Sequence, residues 1–486
     1  MRPFCLALAF FTASATGQEL ENAIRTFTAV YAAVEREAAG PVDPAGAIYG
    51  GAIPAMLRPL DPHSVFLDPD QFKELQRLQE SVSKGFGSVV NALPGRVIIL
   101  QALPGTPSAK AGLAPGDEII SVNGMALDHL GIQQLIAVLE EARKRPATLD
   151  VRRPGSARTL QFVLTPEETQ MPSVAGAFLL RPGAGYVRVS SFDVQTGADL
   201  KQAIEKLGGR QLKSLVLDLR NNPGGLLPAA LETAALFLKP GQTLVTVRGR
   251  AIQGAGEKVP EDAEPYTFPL AVLMNGRSAS AAEIVAGCLQ DHDRAVIVGE
   301  PSFGKGLVET VFPLSDGAGL ALTTAFYYTP SGRSIQRPLP SGQLSPTAPG
   351  RQETKQQFRT DSGRIVLGGG GIQPDYAVQE KPLTRLQMFL DASGAFPTFA
   401  TEYLRQHPGL SETFEVTPQV LDEFQAFLAE RKVLPGVAEW SEVRSWISNR
   451  VKTEIFNQAF GVDRGDQVEA QRDAAILAAL KALGIG

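Results

Sequence analysis

Cysteine and histidine are scarce in this chain of 486 residues: it has two cysteines, Cys5 and Cys288, and four histidines. Two thiols cannot build a cysteine-ligated metal site, and loss of Cys5 with an amino-terminal leader would leave Cys288 without an internal disulfide partner. No metal and no cofactor are expected, and stability falls to packed cores. Positive charge is not in excess either. Lys and Arg number 46 against 51 Asp and Glu, a formal net charge of −5, and no long basic run occurs. The field that grips a polyphosphate backbone is missing, so nucleic acid is not an expected partner. Long apolar runs are lacking as well. The first, over 4–12 behind Arg2, falls short of the roughly 18 residues that span a bilayer and closes on the small residues Ala13, Ser14, Ala15, Thr16 and Gly17. It reads as a cleaved secretory signal over 1–17 and predicts a periplasmic or otherwise extracytoplasmic protein. The alternative is the amino-terminal helix of a cytosolic protein, since a single Arg makes a thin positive flank.

What is present is globular material in more than one core. At roughly 150 residues per domain the length predicts about three domains. Hydrophobic residues at 44% and charged residues at 20% sit near the ordinary globular values of about 45–50% and 25%. Leu20, Ile24, Phe27, Val30, Tyr31 and Val34 recur at helical spacing, followed by 47–57, so 18–80 reads as a helical region suited to scaffold or dimer contact. Residues 81–168 change character. Short β-branched runs at 97–100, 118–122 and 159–164 are separated by Gly/Pro turns, with one helical stretch at 132–143. From 169 to 380 strands and helices alternate: strand 185–189, helix 198–207, strand 214–219, helix 228–237, strand 269–274, helix 280–289, strand 295–298. Such alternation predicts an α/β core with parallel strands. Residues 381–486 are helical in pattern, hold Trp440 and Trp446, and carry no evident chemistry. No fixed-period repeat occurs, which excludes a solenoid.

The segment 81–168 resembles a PDZ domain. The loop Lys84, Gly85, Phe86, Gly87 precedes a strand, and AGLAPGDEIISVNG at 111–124 follows the family's AGL-x-GD-x-I-x-x-VNG stretch. Glycines at 85 and 87 allow consecutive backbone N–H groups to turn toward one point, a nest for a carboxylate. An edge strand beside it pairs with an extended peptide. The module is expected to hold the carboxy terminus of a polypeptide at Gly85, Phe86 and Gly87.

Chemistry concentrates in NGRSASAAEIVAG at 275–287, between a buried strand and a helix. A strand-to-helix turn of small residues exposes a side chain at the carboxyl edge of a sheet and leaves helix N–H groups for an oxyanion. A serine there is a candidate nucleophile; the competing role for Ser278 or Ser280 is a helix N-cap. The usual base is histidine. His292, however, would lie roughly 18 Å from Ser280 along one helix, and His63, His129 and His407 fall outside the expected core. A buried, neutral lysine serves instead. Lys305 sits in EPSFGKG at 300–306, after the strand that follows this helix, and parallel topology returns its loop to the same sheet edge. A lone lysine in a glycine loop also suits a phosphate clamp, but no G-x-x-x-x-G-K-[ST] pattern precedes it.

Residues 60–376 resemble the carboxy-terminal processing, or tail-specific, serine proteases: LDPHS at 60–64, the PDZ module, LDLRNNPGG at 217–225, SASAAEI at 278–284, GEPSFGKG at 299–306, YTPSGR at 328–333 and GGGGIQPD at 368–375, in the family's order. The resemblance implies a Ser-Lys endopeptidase, a recognised variant of the catalytic triad, with Ser280 as nucleophile, Lys305 as general base and backbone N–H groups of Gly224, Gly225 and Ala281 in the oxyanion hole. It gives Asp291 a supporting role. One departure stands out: where the family carries Gln four residues after the lysine, this chain has Glu309. An ionised carboxylate there would favour the ammonium form and weaken the base; a protonated or shared-proton pair would not.

The expectation is therefore a mixed multi-domain α/β protein, with a helical amino-terminal region (18–80), a PDZ module (81–168), a protease core (169–380) and a helical carboxy-terminal region (381–486). Its expected partners are polypeptides with free C-termini and, through the terminal helices, a second copy of the protein. The alternatives are a catalytically weak or inactive PDZ-containing binding scaffold and, more remotely, a nucleotide hydrolase centred on Lys305.

Overall fold

A computed structural model describes residues 11–79, 82–170, 172–251, 254, 256–339, 356–379 and 381–485. Their contacts divide into two units: a smaller one drawn from 1–72, 309–323 and 339–344, and a larger one from 73–308, 324–338 and 345–486.

In the smaller unit the helix Phe11–Glu37 covers the expected amphipathic stretch, but the stripe stays in water. Leu20, Ile24, Phe27, Val30 and Val34 are all exposed. Of the leader read over 1–17, residues 1–10 lie outside the described residues. Asp61 organises the turn after the helix Ile53–Leu57, accepting from the amides of His63 (2.8 Å) and Ser64 (2.9 Å), the Ser64 hydroxyl (2.7 Å) and the Thr323 hydroxyl (3.0 Å). These bonds hold the Asp61 carboxyl below its ordinary value despite the opposing effect of burial. The strand Val65–Leu67 then pairs antiparallel with 319–321.

The larger unit contains the β-rich module. Strands Ser88–Leu93, Arg96–Ala102, Glu118–Val122, Ala147–Arg152 and Leu160–Leu164 pair in that order, which leaves Ser88–Leu93 on the edge of the sheet. Leu135 of the helix Ile132–Ala142 joins Val97, Ile99, Ile119 and Val151 in its core. The strands that enter and leave the module, Val82–Gly85 and Glu167–Gln170, pair antiparallel as a ribbon.

The α/β core has the strand order Val174–Arg181, Ala184–Val189, Ser214–Asp218, Leu270–Met274, Val296–Gly299, Tyr376–Ala377. From Ala184–Val189 onward every pairing is parallel, as the alternation predicts; Val174–Arg181 is an antiparallel addition. Side chains alternate faces along each strand. Leu215 and Leu217 therefore meet the helices Thr196–Leu207, Leu227–Ala235 and Ala281–Asp291, whereas Val216, Ala271 and Leu273 meet the helix Ala474–Ala482. That last helix closes the second face of the sheet, a role its composition did not reveal. The remaining carboxy-terminal helices, Arg385–Ala392, Ala395–Gln406, Pro418–Glu430, Val437–Phe460 and Val462–Ala470, share a core in which Leu390 and Val468 join Phe396, Phe399, Phe424, Phe427 and Trp440. They also touch the β-rich module, where the Arg96 guanidinium donates to the Thr398 hydroxyl at 3.2 Å. Among the described residues no helix is long and apolar enough to cross a membrane, and no cluster of His, Cys, Asp and Glu could hold a metal ion.

Candidate active site

The strand Leu270–Met274 is buried throughout and ends at Asn275, where the backbone turns into the helix Ala281–Asp291. Ser278 builds this turn: it is fully buried, its hydroxyl donates to the Leu219 carbonyl at 2.7 Å, and it accepts from the Asn275 amide at 3.0 Å. Ser280 occupies the N-cap position, yet its side chain makes no capping bond. Its backbone stands at φ 54°, ψ −115°, a region that side-chain-bearing residues rarely adopt. Strain of this kind costs of order 1–3 kcal/mol and persists where the surroundings over-determine it. A serine on a strained strand-to-helix turn is the arrangement of a nucleophile elbow.

What over-determines the turn is Glu283, one helical turn on. Its carboxylate is fully buried and accepts four bonds: from the Ser280 amide (2.9 Å), the Lys305 amide (2.9 Å), the Gly304 amide (2.7 Å) and the Ser302 hydroxyl. One side chain thus ties the serine turn to the lysine loop. On the carbonyl side the buried Tyr327 hydroxyl lies 2.6 Å from the Lys305 oxygen and 3.2 Å from that of Ser280. Burial pushes the Glu283 carboxyl up to about 7, against the pull of its four donors. The lysine loop is fixed from its other side as well, since the Gly306 amide donates to Gln336 Oε1 at 2.7 Å and the Arg337 amide to the Gly304 carbonyl at 2.9 Å. Glu283 was legible in principle, because an acid three residues after a serine ahead of an apolar run is the capping-box spacing. Tyr327 and Gln336 carry no such local signal.

Loop 223–225 lies against this turn. Gly224 has φ +102°, and a Cβ there would stand 2.8 Å from the Ser280 Cβ and 3.0 Å from the Ala281 amide nitrogen. Gly225, at φ +144°, would bring a Cβ within 2.0 Å of the Phe192 carbonyl oxygen. Only glycine fits at either position. Of the three amides expected as oxyanion donors, that of Gly224 donates to Asn222 Oδ1 at 2.8 Å, because Asn222 closes a local turn. Among the described residues no hydrogen bond engages the amides of Gly225 and Ala281.

The remaining candidates separate. Both ring nitrogens of His292 are occupied, by Asp361 Oδ2 at 2.7 Å and the Thr243 carbonyl at 2.8 Å. Asp291 is buried against Arg333 at 2.7 Å and accepts the Ser331 amide at 3.0 Å, anchoring the carboxyl end of the helix Ala281–Asp291. Glu309 belongs to the smaller unit, where its Oε1 lies 3.8 Å from His63 Nδ1. In the β-rich module the two glycines divide their roles. Gly85 ends the ribbon strand, paired with Glu167, so it does not turn. Gly87, at φ +73°, does; a Cβ there would meet Thr106 at 2.2 Å, and its carbonyl accepts from the Leu103 amide at 2.8 Å. Phe86 lies between them, its carbonyl bonded to the Ser108 amide at 2.9 Å, ahead of the edge strand Ser88–Leu93.

Comparison with known proteins agrees with this architecture. Residues 183–347 match the model of peptidase family S41, and 98–153 match that of the PDZ domain. A carboxy-terminal-processing protease of Bartonella bacilliformis is 37% identical over 292 residues, covering 59% of this chain and 66% of the relative. A carboxyl-terminal-processing protease of Synechocystis sp. is 37% identical over 293 residues, covering 59% of this chain and 68% of the relative. Among solved structures, a photosystem II D1 C-terminal processing protease shares 30% identity over 74% of this chain and 88% of its own, with a TM-score of 0.39.

Proposed function

We propose that this chain, which belongs to the carboxy-terminal-processing proteases of peptidase family S41, is a Ser-Lys endopeptidase that captures substrate tails on its PDZ module. The observation that carries the reading is the double bridge between residues 280 and 305, through the Glu283 carboxylate and the Tyr327 hydroxyl. It fixes two backbone segments, distant in sequence, whose side chains suit a nucleophile and a base.

In the proposed mechanism the Lys305 amine takes the Ser280 hydroxyl proton as Oγ attacks the scissile carbonyl, and the carbonyl oxygen gains negative charge. Amides of Ala281 and Gly225 meet that charge, each donor contributing about 3–4 kcal/mol. The Lys305 ammonium returns its proton to the departing amine, leaving an acyl-serine, and the amine then activates the water that hydrolyses it. Tail capture at Phe86 and Gly87, with the peptide added to Ser88–Leu93, makes attack effectively intramolecular and raises local substrate to roughly millimolar.

The decisive experiment incubates the purified protein with an unfolded polypeptide ending in apolar residues. Cleavage lost in both Ser280→Ala and Lys305→Ala is the expected result. Binding without cleavage by the wild type would leave a tail-binding scaffold instead. Glu309 is assigned a tuning role, and pH–rate profiles of wild type and Glu309→Gln that superimpose would remove it. Cleavage of a leader over 1–17 would put the protein outside the cytoplasm; amino-terminal sequencing of the protein recovered from its host checks this. The exposed stripe of the helix Phe11–Glu37 suits pairing with a second copy, and sedimentation of Ile24→Glu against wild type tests that assignment.

A further inference from the structure

We infer that Phe303 selects an apolar side chain adjacent to the scissile bond. This rests on the peptidase reading above and specifies the kind of bond that the site accepts. Phe303 stands two residues before Lys305, and its amide donates to the Ser278 carbonyl at 3.0 Å, so its backbone lies directly on the nucleophile turn. Both neighbours are fixed. The Ser302 amide donates to the Ile372 carbonyl at 3.0 Å and the Arg337 guanidinium to the Ser302 carbonyl at 2.8 Å, while the Gly304 amide reaches Glu283 at 2.7 Å. Ser302 and Gly304 are buried, yet between them the Phe303 side chain is left 49% exposed.

An aromatic ring half in water forgoes part of the stabilisation that its full burial would contribute. The fold does not use it as core filler: Ile284, Ile297, Ile335 and Ile372 belong to the buried cluster of this unit, and Phe303 neither joins that cluster nor packs against it. Nor does the loop demand a large residue, since Gly304 at φ +91° makes the turn. A ring held on a rigid backbone loses little entropy on contact, the property that makes aromatics good anchors. A second exposed apolar residue sits on the opposite loop. Val194 is 56% exposed and follows Phe192, whose amide donates to the Gly224 carbonyl at 3.0 Å. The loop beside the expected oxyanion donors and the loop that carries the base thus each present one apolar side chain to solvent.

The matching ligand is an apolar residue of an extended polypeptide, flanking the bond that Ser280 attacks. Two peptide series test this, one varied on the acyl side of the bond and one on the amine side, each comparing Leu with Ser. In one series the wild type should favour Leu by at least about tenfold in kcat/KM, the scale of a lost apolar contact. Phe303→Ala should lower the Leu peptide about tenfold, chiefly through KM, and leave the Ser peptide within about twofold; Phe303→Leu should keep most of the preference. Equal losses on Leu and Ser peptides, or no loss in either series, would overturn the inference. Labelling of Ser280 by a fluorophosphonate separates this from the premise: undiminished labelling in Phe303→Ala is expected, whereas a wild type that neither labels nor cleaves removes both.

Discussion

The Ser280 turn and the PDZ loop lie in the same larger unit and both depend on glycine and on backbone amides, but they are held very differently. Around Ser280 a fully buried carboxylate, a buried tyrosine hydroxyl and two glycines with no room for a Cβ fix every approach. At Phe86 and Gly87 one positive-φ glycine and three carbonyl bonds suffice, beside an edge strand open to an incoming peptide. The difference fits the two tasks proposed above. Bond cleavage requires reacting atoms to be placed within a fraction of an ångström, whereas tail capture requires access and tolerates variety.

The comparison is broken most severely at Glu283. Glu283→Gln turns an amide NH₂ toward two of the four donors, and at about 1.5–3 kcal/mol for each of the two lost charged bonds kcat should fall about 10³–10⁴-fold, with tail affinity unchanged. Steady-state kinetics and tail-peptide titration measure the two halves. Acidity gives a sharper form of the same test. All four partners of Glu283 donate, so the clamp fits the ionised carboxylate, and activity should rise with pH through about 7. Stability should move the other way. A carboxyl raised from 4.5 to about 7 contributes most to the folded state below 4.5, and its share declines by about 3 kcal/mol as pH rises through 7. Denaturant unfolding at pH 5 and pH 8 should show that slope in wild type and lose it in Glu283→Gln.

The next largest effect is expected at the glycine facing Ser280. Gly224→Ala places a methyl 2.8 Å from the Ser280 Cβ, and loss of oxyanion geometry should lower kcat by about 10²–10³ while tail binding holds. The smallest effects belong to the PDZ loop. Gly87→Ala should raise KM about tenfold for tail-bearing substrates only, because the strained methyl strikes Thr106. Gly85→Ala, which meets nothing nearer than the Arg143 side chain at 3.7 Å, should change KM less than twofold. Equal effects at 85 and 87 would show that both glycines shape the nest.

Local pattern makes much of this molecule legible. The buried strands of the core announce themselves as continuous apolar runs such as 270–274, and the turn at 275–280 by its small residues, because period and turn chemistry act over a few neighbouring positions. The same reasoning separates a nucleophile from an N-cap poorly: Ser278 and Ser280 look alike in sequence, and only the folded arrangement shows the first bonded to Leu219 and the second in a strained, uncapped position.

The amino-acid sequence by itself determined the order of strands and helices, the serine and lysine that the family motifs mark, and the absence of a metal-binding cysteine set. Only the tertiary structure decided that Glu283 and Tyr327 join residues 280 and 305, that Asn222 draws away the Gly224 amide, that Gly85 lies in a ribbon, and that Ala474–Ala482 covers a sheet face begun almost three hundred residues earlier. The physical reason is range. Propensity and hydrophobic period are properties of neighbouring residues, whereas the partner of a buried carboxylate, or the cover of an apolar sheet face, is chosen by whichever distant segment satisfies it at least cost in desolvation.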